Sequence, residues 1–162
     1  MNDDPLSAVI QQLCPSDRAL ACDLLDVFGA AFEDETTYDG KASSDAYLAK
    51  LLAREHFIAL VALVKGKVVG GLAAYEMEKL EQERSEIYIY DLAVLESHRR
   101  QQIATKLINA LRKIASERGA WVVFVQADHG DDPAIALYTG LGTREDVLHF
   151  DIAVEDDGER TD

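Results

Sequence analysis

The chain is poor in cysteine, poor in positive charge and without any long apolar run. Its two cysteines, Cys14 and Cys22, stand in no metal-ligand or redox spacing, and reduced thiols of a cytoplasmic protein are expected. No apolar stretch approaches the length needed to cross a bilayer. The start, Met1-Asn2-Asp3-Asp4, has neither the basic segment nor the apolar core of a signal peptide. There is no internal repeat and no Ser/Pro-rich linker, so one domain is expected over residues 1–154. Sixteen Lys and Arg stand against thirty Asp and Glu, a net charge of −14. That balance argues against nucleic acid and anionic membranes as partners, because both need positive charge. Two readings of the acids remain: a soluble surface, or a field that attracts a cationic ligand. Part of the excess lies in the tail, 155–162, which is expected to be disordered.

What is present is enough apolar residue, 48% of 162, to build a real core. Residues 1–15 are expected to be irregular or to hold a short strand around Val9 to Leu13. Pro15-Ser16-Asp17 then reads as a helix start with Ser16 as N-cap. Leu20, Leu24, Val27, Phe28 and Ala31 mark the apolar face of a helix over 17–33, and a second helix should run over 44–54. The pattern then changes to strands at 57–64 and 68–77, joined by a turn at Lys65-Gly66-Lys67. Gly70 and Gly71 are candidate bulge or close-approach positions. A strand over 86–94 leads to a helix over 100–118 that Gly119 should end. Residues 121–127 are apolar on both faces, which predicts an interior strand. Pro133 opens a short helix over 134–141, with Asp132 as its cap and Gly142 as its stop. Residues 147–154 read as a final strand. Together these make a mixed α/β sheet with helices on both faces.

The stretch Tyr88-Ile89-Tyr90-Asp91-Leu92-Ala93-Val94, running into His98-Arg99-Arg100-Gln101-Gln102-Ile103-Ala104-Thr105, organises the rest. A strand runs through a tight polar turn into a helix whose Ile103, Leu107, Leu111 and Ile114 recur at helical spacing. The first turn of such a helix has unpaired N–H groups and the positive end of the dipole. With Arg99 and Arg100 added, the spot suits a phosphate-bearing ligand; paired arginines in a solvated turn are the plainer alternative. Arg99-x-x-Gln102-x-Ala104 resembles the R-x-x-G-x-G/A signature of the GNAT acetyltransferases, with Gln102 at the usual glycine. The element order resembles the GNAT fold over nearly the whole chain. The resemblance implies a mostly antiparallel sheet whose central strands splay apart. It also implies acetyl-CoA as cofactor, its pyrophosphate wrapped by Arg99, Arg100, Gln101, Gln102, Ile103, Ala104 and Thr105. The pantetheine arm would pair with the backbone of Leu92, Ala93 and Val94. Asp131 holds the position where many members have an Asn that contacts the cofactor.

Three groups could carry chemistry. Ala134-Ile135-Ala136-Leu137-Tyr138 resembles the A-x-x-L-Y segment of the superfamily, which implies Tyr138 as the acid that protonates a leaving thiolate. A tyrosine packing its helix onto the sheet is the structural alternative. Asp91 interrupts an apolar run, where a carboxylate is expensive without a purpose or partner. It could take a proton from an attacking ammonium, directly or through water, and Glu86 is the alternative base. Asp128, Asp131 and Asp132 lie within five residues at the end of a strand, where sites in α/β folds tend to open. They read as a polar turn or as acids facing a cationic substrate; their spacing does not match an EF-hand loop, and no metal is expected.

A closer resemblance is to the gentamicin-modifying, GNAT-type aminoglycoside 3-N-acetyltransferases. It is carried by Arg84 through Val94, His98-Arg99-Arg100-Gln101, Val125-Gln126-Ala127-Asp128, Gly130-Asp131-Asp132-Pro133-Ala134, Ala136-Leu137-Tyr138-Thr139 and His149-Phe150-Asp151-Ile152. The N-terminal half matches more thinly, through Asp26-Val27-Phe28-Gly29, Phe32, Asp34, Thr37-Tyr38 and Phe57-Ile58-Ala59-Leu60. The resemblance implies acetyl transfer to the 3-amino group of a deoxystreptamine ring. Asp34, Tyr90, Asp128, Asp132 and Asp151 would face that polycation, and a homodimer is expected. The rival readings are the same chemistry on a polyamine or a protein N-terminus, and an acyl-CoA-binding domain without turnover.

Overall fold

The computed structural model describes residues 7–41 and 43–154, and the tail at 155–162 lies outside the described residues. The chain divides into two units, Met1–Gln126 and Ala127–Asp162. The first contains β1 (Val9–Gln12), α1 (Arg18–Phe32), α2 (Asp45–Leu52), β2 (Phe57–Val64), β3 (Lys67–Glu78), β4 (Ser85–Val94), α3 (Ile103–Arg118) and β5 (Ala120–Val125). The strands form one sheet in sequence order, antiparallel throughout except for the parallel β4–β5 pair. Among the described residues no helix is long and apolar enough to cross a membrane. Cys14 and Cys22 are free thiols.

Residues opposite one another across an antiparallel pair share a face. Ala59 and Val61 of β2 and Ala93 of β4 cluster with Leu24, Val27 and Phe28 of α1. Alternate residues point the other way. Ile58, Leu60, Leu72, Ile87 and Ile89 are buried there, and Leu107 and Leu111 of α3 are fully buried as well. Burying a side chain of this size contributes ~1.5–3 kcal/mol, so the two apolar faces hold one helix layer on each side of the sheet. Gly71 belongs to the α1 face, where a Cβ would collide with Leu24 and with the Leu60 carbonyl. The predicted close approach is therefore real. Lys65 and Gly66 make the two-residue β2–β3 turn, both with positive φ, 50° and 77°, as the twist of a tight hairpin requires.

Several boundaries differ from the sequence reading. Asp17, not Ser16, stands at the N-cap of α1, and it makes no side-chain cap there. Its Oδ2 instead accepts from the Cys14 N–H at 2.8 Å, closing the preceding turn. Helix α3 begins at Ile103 rather than 100, because Arg100 and Gln102 adopt left-handed φ of 63° and 61°. Gly119 ends it as expected, at φ 74°. Within the first unit β5 is the outer strand of the sheet, not an interior one, and Trp121 is 70% exposed. Arg84 covers its ring at 4.5 Å, so a cation rather than a neighbouring strand lies over this apolar position.

In the second unit α4 (Asp132–Thr139) is capped by Asp131, whose Oδ1 accepts from the Ala134 N–H at 3.2 Å. The sequence reading placed the cap one residue late, at Asp132, which is already the first helical residue. Gly140, not Gly142, is the C-cap. Within the second unit the expected final strand finds no partner. Residues 147–154 carry no strand pairing among the described residues, and Val147, Leu148, Phe150, Ile152 and Val154 are exposed. Alternating apolar residues supply a strand's face but not the neighbouring edge that a ladder requires.

Candidate active site

A bulge determines where Asp91 points. The β3–β4 register pairs Tyr75 with Tyr88 and Ala74 with Ile89, then jumps so that Ala73 pairs with Asp91. Tyr90 is the extra residue. Uninterrupted alternation would have sent Asp91 to the same side as Ile87 and Ile89, into the α3 core. The bulge instead places it on the α1 face, opposite Ala73 and in line with Ala59. Bulges beside functional sites often re-aim one side chain in this way.

Around Asp91 the sheet carries a row of aromatic rings. Phe57 and Tyr75 lie 5.2 Å apart, Tyr75 and Tyr90 6.1 Å, Tyr90 and Tyr88 5.9 Å, and Tyr88 stacks on Phe124 at 4.9 Å. Tyr90 is 63% exposed, presenting its ring outward. The hydroxyl of Tyr88 donates to the Gln126 side chain at 3.0 Å. Asp91 is half-buried. Burial pushes its carboxyl above the usual Asp range, and a hydrogen bond from Tyr38 partly opposes that. Tyr38 was absent from the candidate residues drawn from sequence. Its hydroxyl reaches Asp91 Oδ1 at 2.8 Å from the segment after α1.

Glu86 is elsewhere on β4, five residues back, roughly 16 Å along an extended strand. It pairs with Lys79 at 3.6 Å and Arg84 at 4.0 Å. Asp34 builds a turn: its Oδ1 accepts from Thr37 N–H at 3.1 Å, and hydrogen bonding from the Thr37 side chain, then from its backbone, holds the Asp34 carboxyl below the usual range.

The strand–turn–helix segment has features that suit a phosphate-bearing, amide-bearing cofactor. The parallel β4–β5 ladder stops at Ile89–Val125, while β4 continues to Val94. Within the first unit, the β5 side of Leu92, Ala93 and Val94 is therefore free of strand pairing, which is what a pantetheine amide needs. A single 3-10 turn, Glu96–His98, follows. Arg99 Nε then donates to the Val94 carbonyl at 3.2 Å and closes the loop back on its strand. Gln102 precedes α3 with no side-chain cap, and its side chain is exposed. The first-turn N–H groups of Ile103, Ala104 and Thr105 are thus left without a side-chain acceptor from the N-cap. Non-glycine residues with φ near 60° cost of order 1–3 kcal/mol and concentrate at functional sites; Arg100 and Gln102 are two within three residues.

In the second unit, burial and then the charge of Asp131 push the Tyr138 hydroxyl up to about 12. It stays protonated, a donor, across the physiological range. Asp131 has a side-chain oxygen committed to the helix cap. Asp128 gives its carbonyl to the Asp131 N–H at 3.2 Å, and its carboxylate and that of Asp132 are exposed. Asp151 Oδ1 lies 3.1 Å from His149 Nε2.

Comparison with known proteins bears on the same segments. The sequence profile described as "Acetyltransferase (GNAT) family" matches residues 22–143. A crystal structure of an aminoglycoside acetyltransferase from an uncultured soil metagenomic sample is 56% identical, covering 92% of this chain and 99% of its own, with a TM-score of 0.90. A second, from an uncultured soil metagenomic sample and in complex with sisomicin, is 35% identical over 91% of this chain and 97% of its own, with a TM-score of 0.85. The rat protein N-acetyltransferase family 8 member 2 is 29% identical over 85 residues, 52% of this chain; the match spans 38% of that relative's length.

Proposed function

The chain belongs to the GNAT family of acetyl-CoA-dependent N-acetyltransferases, and on that footing we propose that it acetylates an amine of an aminoglycoside. The observation that carries this reading is Asp91. It is a half-buried carboxylate set by a bulge among phenol rings, and no cation of the described residues pairs with it. The similarity to two aminoglycoside acetyltransferases, one holding sisomicin, supports the substrate class. The finer proposal is the 3-amino group of a deoxystreptamine ring, with gentamicin among the substrates.

In this reading Asp91 accepts the proton that an ammonium must lose before its nitrogen can attack a carbonyl. Glu86, held by Lys79 and Arg84, serves β4 rather than the reaction. Acetyl-CoA supplies an acetyl group activated as a thioester. Leu92, Ala93 and Val94 would hold its pantetheine amides, and the turn from Arg99 through Thr105 its pyrophosphate. Asp131 contributes chiefly by capping α4. Tyr138, whose hydroxyl stays protonated, would be the proton donor to the leaving thiolate. The partly exposed Asp34 and the ring of Tyr90 in the first unit, and the exposed Asp128, Asp132 and Asp151 in the second, are each groups that would attract a polycation.

We further propose a cytoplasmic homodimer. Within the first unit the outer edge of β5 pairs with no strand, and in the second unit the stretch 147–154 is apolar and exposed; each is a surface that a second copy of the chain would cover. Scattering that gives a monomer mass at dilute concentration overturns the dimer. The function itself is tested by incubating the protein with acetyl-CoA and gentamicin, following thiol release, and locating the new acetyl group by NMR. Acetylation at the 3-amino group is the expected result. Modification at another amine corrects the position only. Thiol release with polyamines or peptides but not aminoglycosides refutes the substrate class, and none with any amine refutes the activity.

A further inference from the structure

We propose that Tyr38 is a positioning residue for Asp91: it holds one carboxylate oxygen so that the other is presented to the substrate's amine. The inference rests on the reading of Asp91 as proton acceptor. The contact is a direct one, Tyr38 hydroxyl to Asp91 Oδ1 at 2.8 Å, between residues 53 positions apart.

Tyr38 is itself held by the end of α1 and by its own turn. Its ring meets Phe28 edge-on at 5.8 Å and leans on Phe32 at 5.3 Å. Glu33 ends α1 in a left-handed conformation, which turns the chain back. Asp34 N–H donates to the Gly29 carbonyl at 3.0 Å, and Tyr38 N–H donates to the Asp34 carbonyl at 3.2 Å. The Asp34 side chain fixes Thr37 between them. The segment is thus a braced arm reaching from α1 to the sheet, with the hydroxyl at its end. Only one donor reaches Asp91 among the described side chains, so this bond decides how the carboxylate is turned.

The bond also has an electrical consequence. The groups that face Asp91 are Tyr38 from the arm, Tyr75 from β3, and Tyr88 and Tyr90 from β4; Asp34 lies behind Tyr38, and Tyr47 of α2 beside Tyr75. The four facing groups are phenols, and burial pushes the Tyr38, Tyr75 and Tyr88 hydroxyls still further above the acid range. Apart from Asp34, whose carboxyl is held below the usual range by its hydrogen bonds to Thr37, Asp91 is the group of this set that changes charge in the acid range. A donor to its ionised form favours that form. Removing the Tyr38 hydroxyl should raise the pKa of Asp91 and move the acidic limb of kcat/KM to higher pH.

The test is Tyr38→Phe, read by the pH profile of kcat/KM and by the ¹³C carboxyl resonance of Asp91. A shift of both by about one pH unit is expected, the size of a hydrogen bond to a charged group. Activity should fall ~10-fold below the limb and recover above it. In an Asp91→Asn background Tyr38→Phe should cost nothing further in kcat/KM. Site-specific replacement of Tyr38 by 3-fluorotyrosine, a stronger donor, should move the Asp91 resonance the opposite way and covers the case of a poorly folded Phe variant. An Asp91 resonance whose pKa is the same with Tyr, Phe and fluorotyrosine overturns the positioning role. A resonance that moves without any change in the activity profile upholds the positioning and refutes Asp91 as the base.

Discussion

A methyl group at Gly29 would sit 2.8 Å from the carbonyl oxygen of Tyr38 and 3.3 Å from the Cα of Glu35. Both obstacles are backbone, so neither can rotate away. Helix α1 thus needs glycine at this buried position to let the arm carrying Tyr38 lie against it. Gly29→Ala should gain up to ~1 kcal/mol of helix propensity and lose more to overpacking, typically ~1–3 kcal/mol. The expected net result is a melting temperature lowered by a few degrees, together with a fall in kcat/KM. An unchanged melting curve with normal kinetics counts against the close fit.

Gln102→Gly replaces a strained residue by the one that tolerates φ 61°. Relief of a left-handed non-glycine conformation is worth of order 1 kcal/mol, against the extra entropy of glycine in the unfolded chain. The variant should be at least as stable as the parent and should bind acetyl-CoA as tightly or more so, as measured by calorimetry. Weaker cofactor binding would mean that the Gln102 side chain contacts the ligand.

Tyr138→Phe keeps the ring and removes the proton. If the hydroxyl is the acid, kcat should fall by ~10²–10⁴ with binding of cofactor and antibiotic nearly unchanged. Normal kcat on saturating substrate would return Tyr138 to a packing role.

Asp91→Asn should separate function from stability. The native carboxyl has a raised pKa, so the folded state binds this proton more tightly than the unfolded chain does. Its contribution to stability therefore falls as pH rises from the unfolded pKa through the folded one, and stays low above it. The neutral amide avoids that loss. The variant should lose ~10²–10⁴ in turnover and yet melt higher than the parent at pH 7, a difference that shrinks towards pH 4. Equal melting shifts at both pH values would show that the carboxylate is not destabilised by burial.

Much of the fold was legible because its signals are local. Leu107 and Leu111 at helical spacing, Gly119 after Arg118, and the apolar runs of β2 and β4 each depend on a few neighbouring residues. What depends on a partner was not legible. The alternation at 147–154 carries no information about the edge it would need, and the apolar run at Trp121 did not reveal that Arg84 covers it. In the candidate site Asp91 stood out because a carboxylate in an apolar strand is costly. Tyr38 did not, since its partner is 53 positions away and an exposed-looking Thr-Tyr pair in a loop has no pattern of its own. The bulge at Tyr90 was equally silent, although it decides which face of the sheet receives the acid.

Trp121 is the chain's one tryptophan, and within the first unit it lies on the sheet's outer strand under the guanidinium of Arg84. The molecule therefore carries a single intrinsic fluorophore on the edge proposed above for a second copy. In a lone copy its emission should be red-shifted and open to quenching by iodide, an anion that Arg84 draws in. Arrival of a second copy at that margin should turn the emission blue and shut the quencher out. Association could then be followed optically, on unlabelled protein, down to the dilutions at which scattering loses its signal.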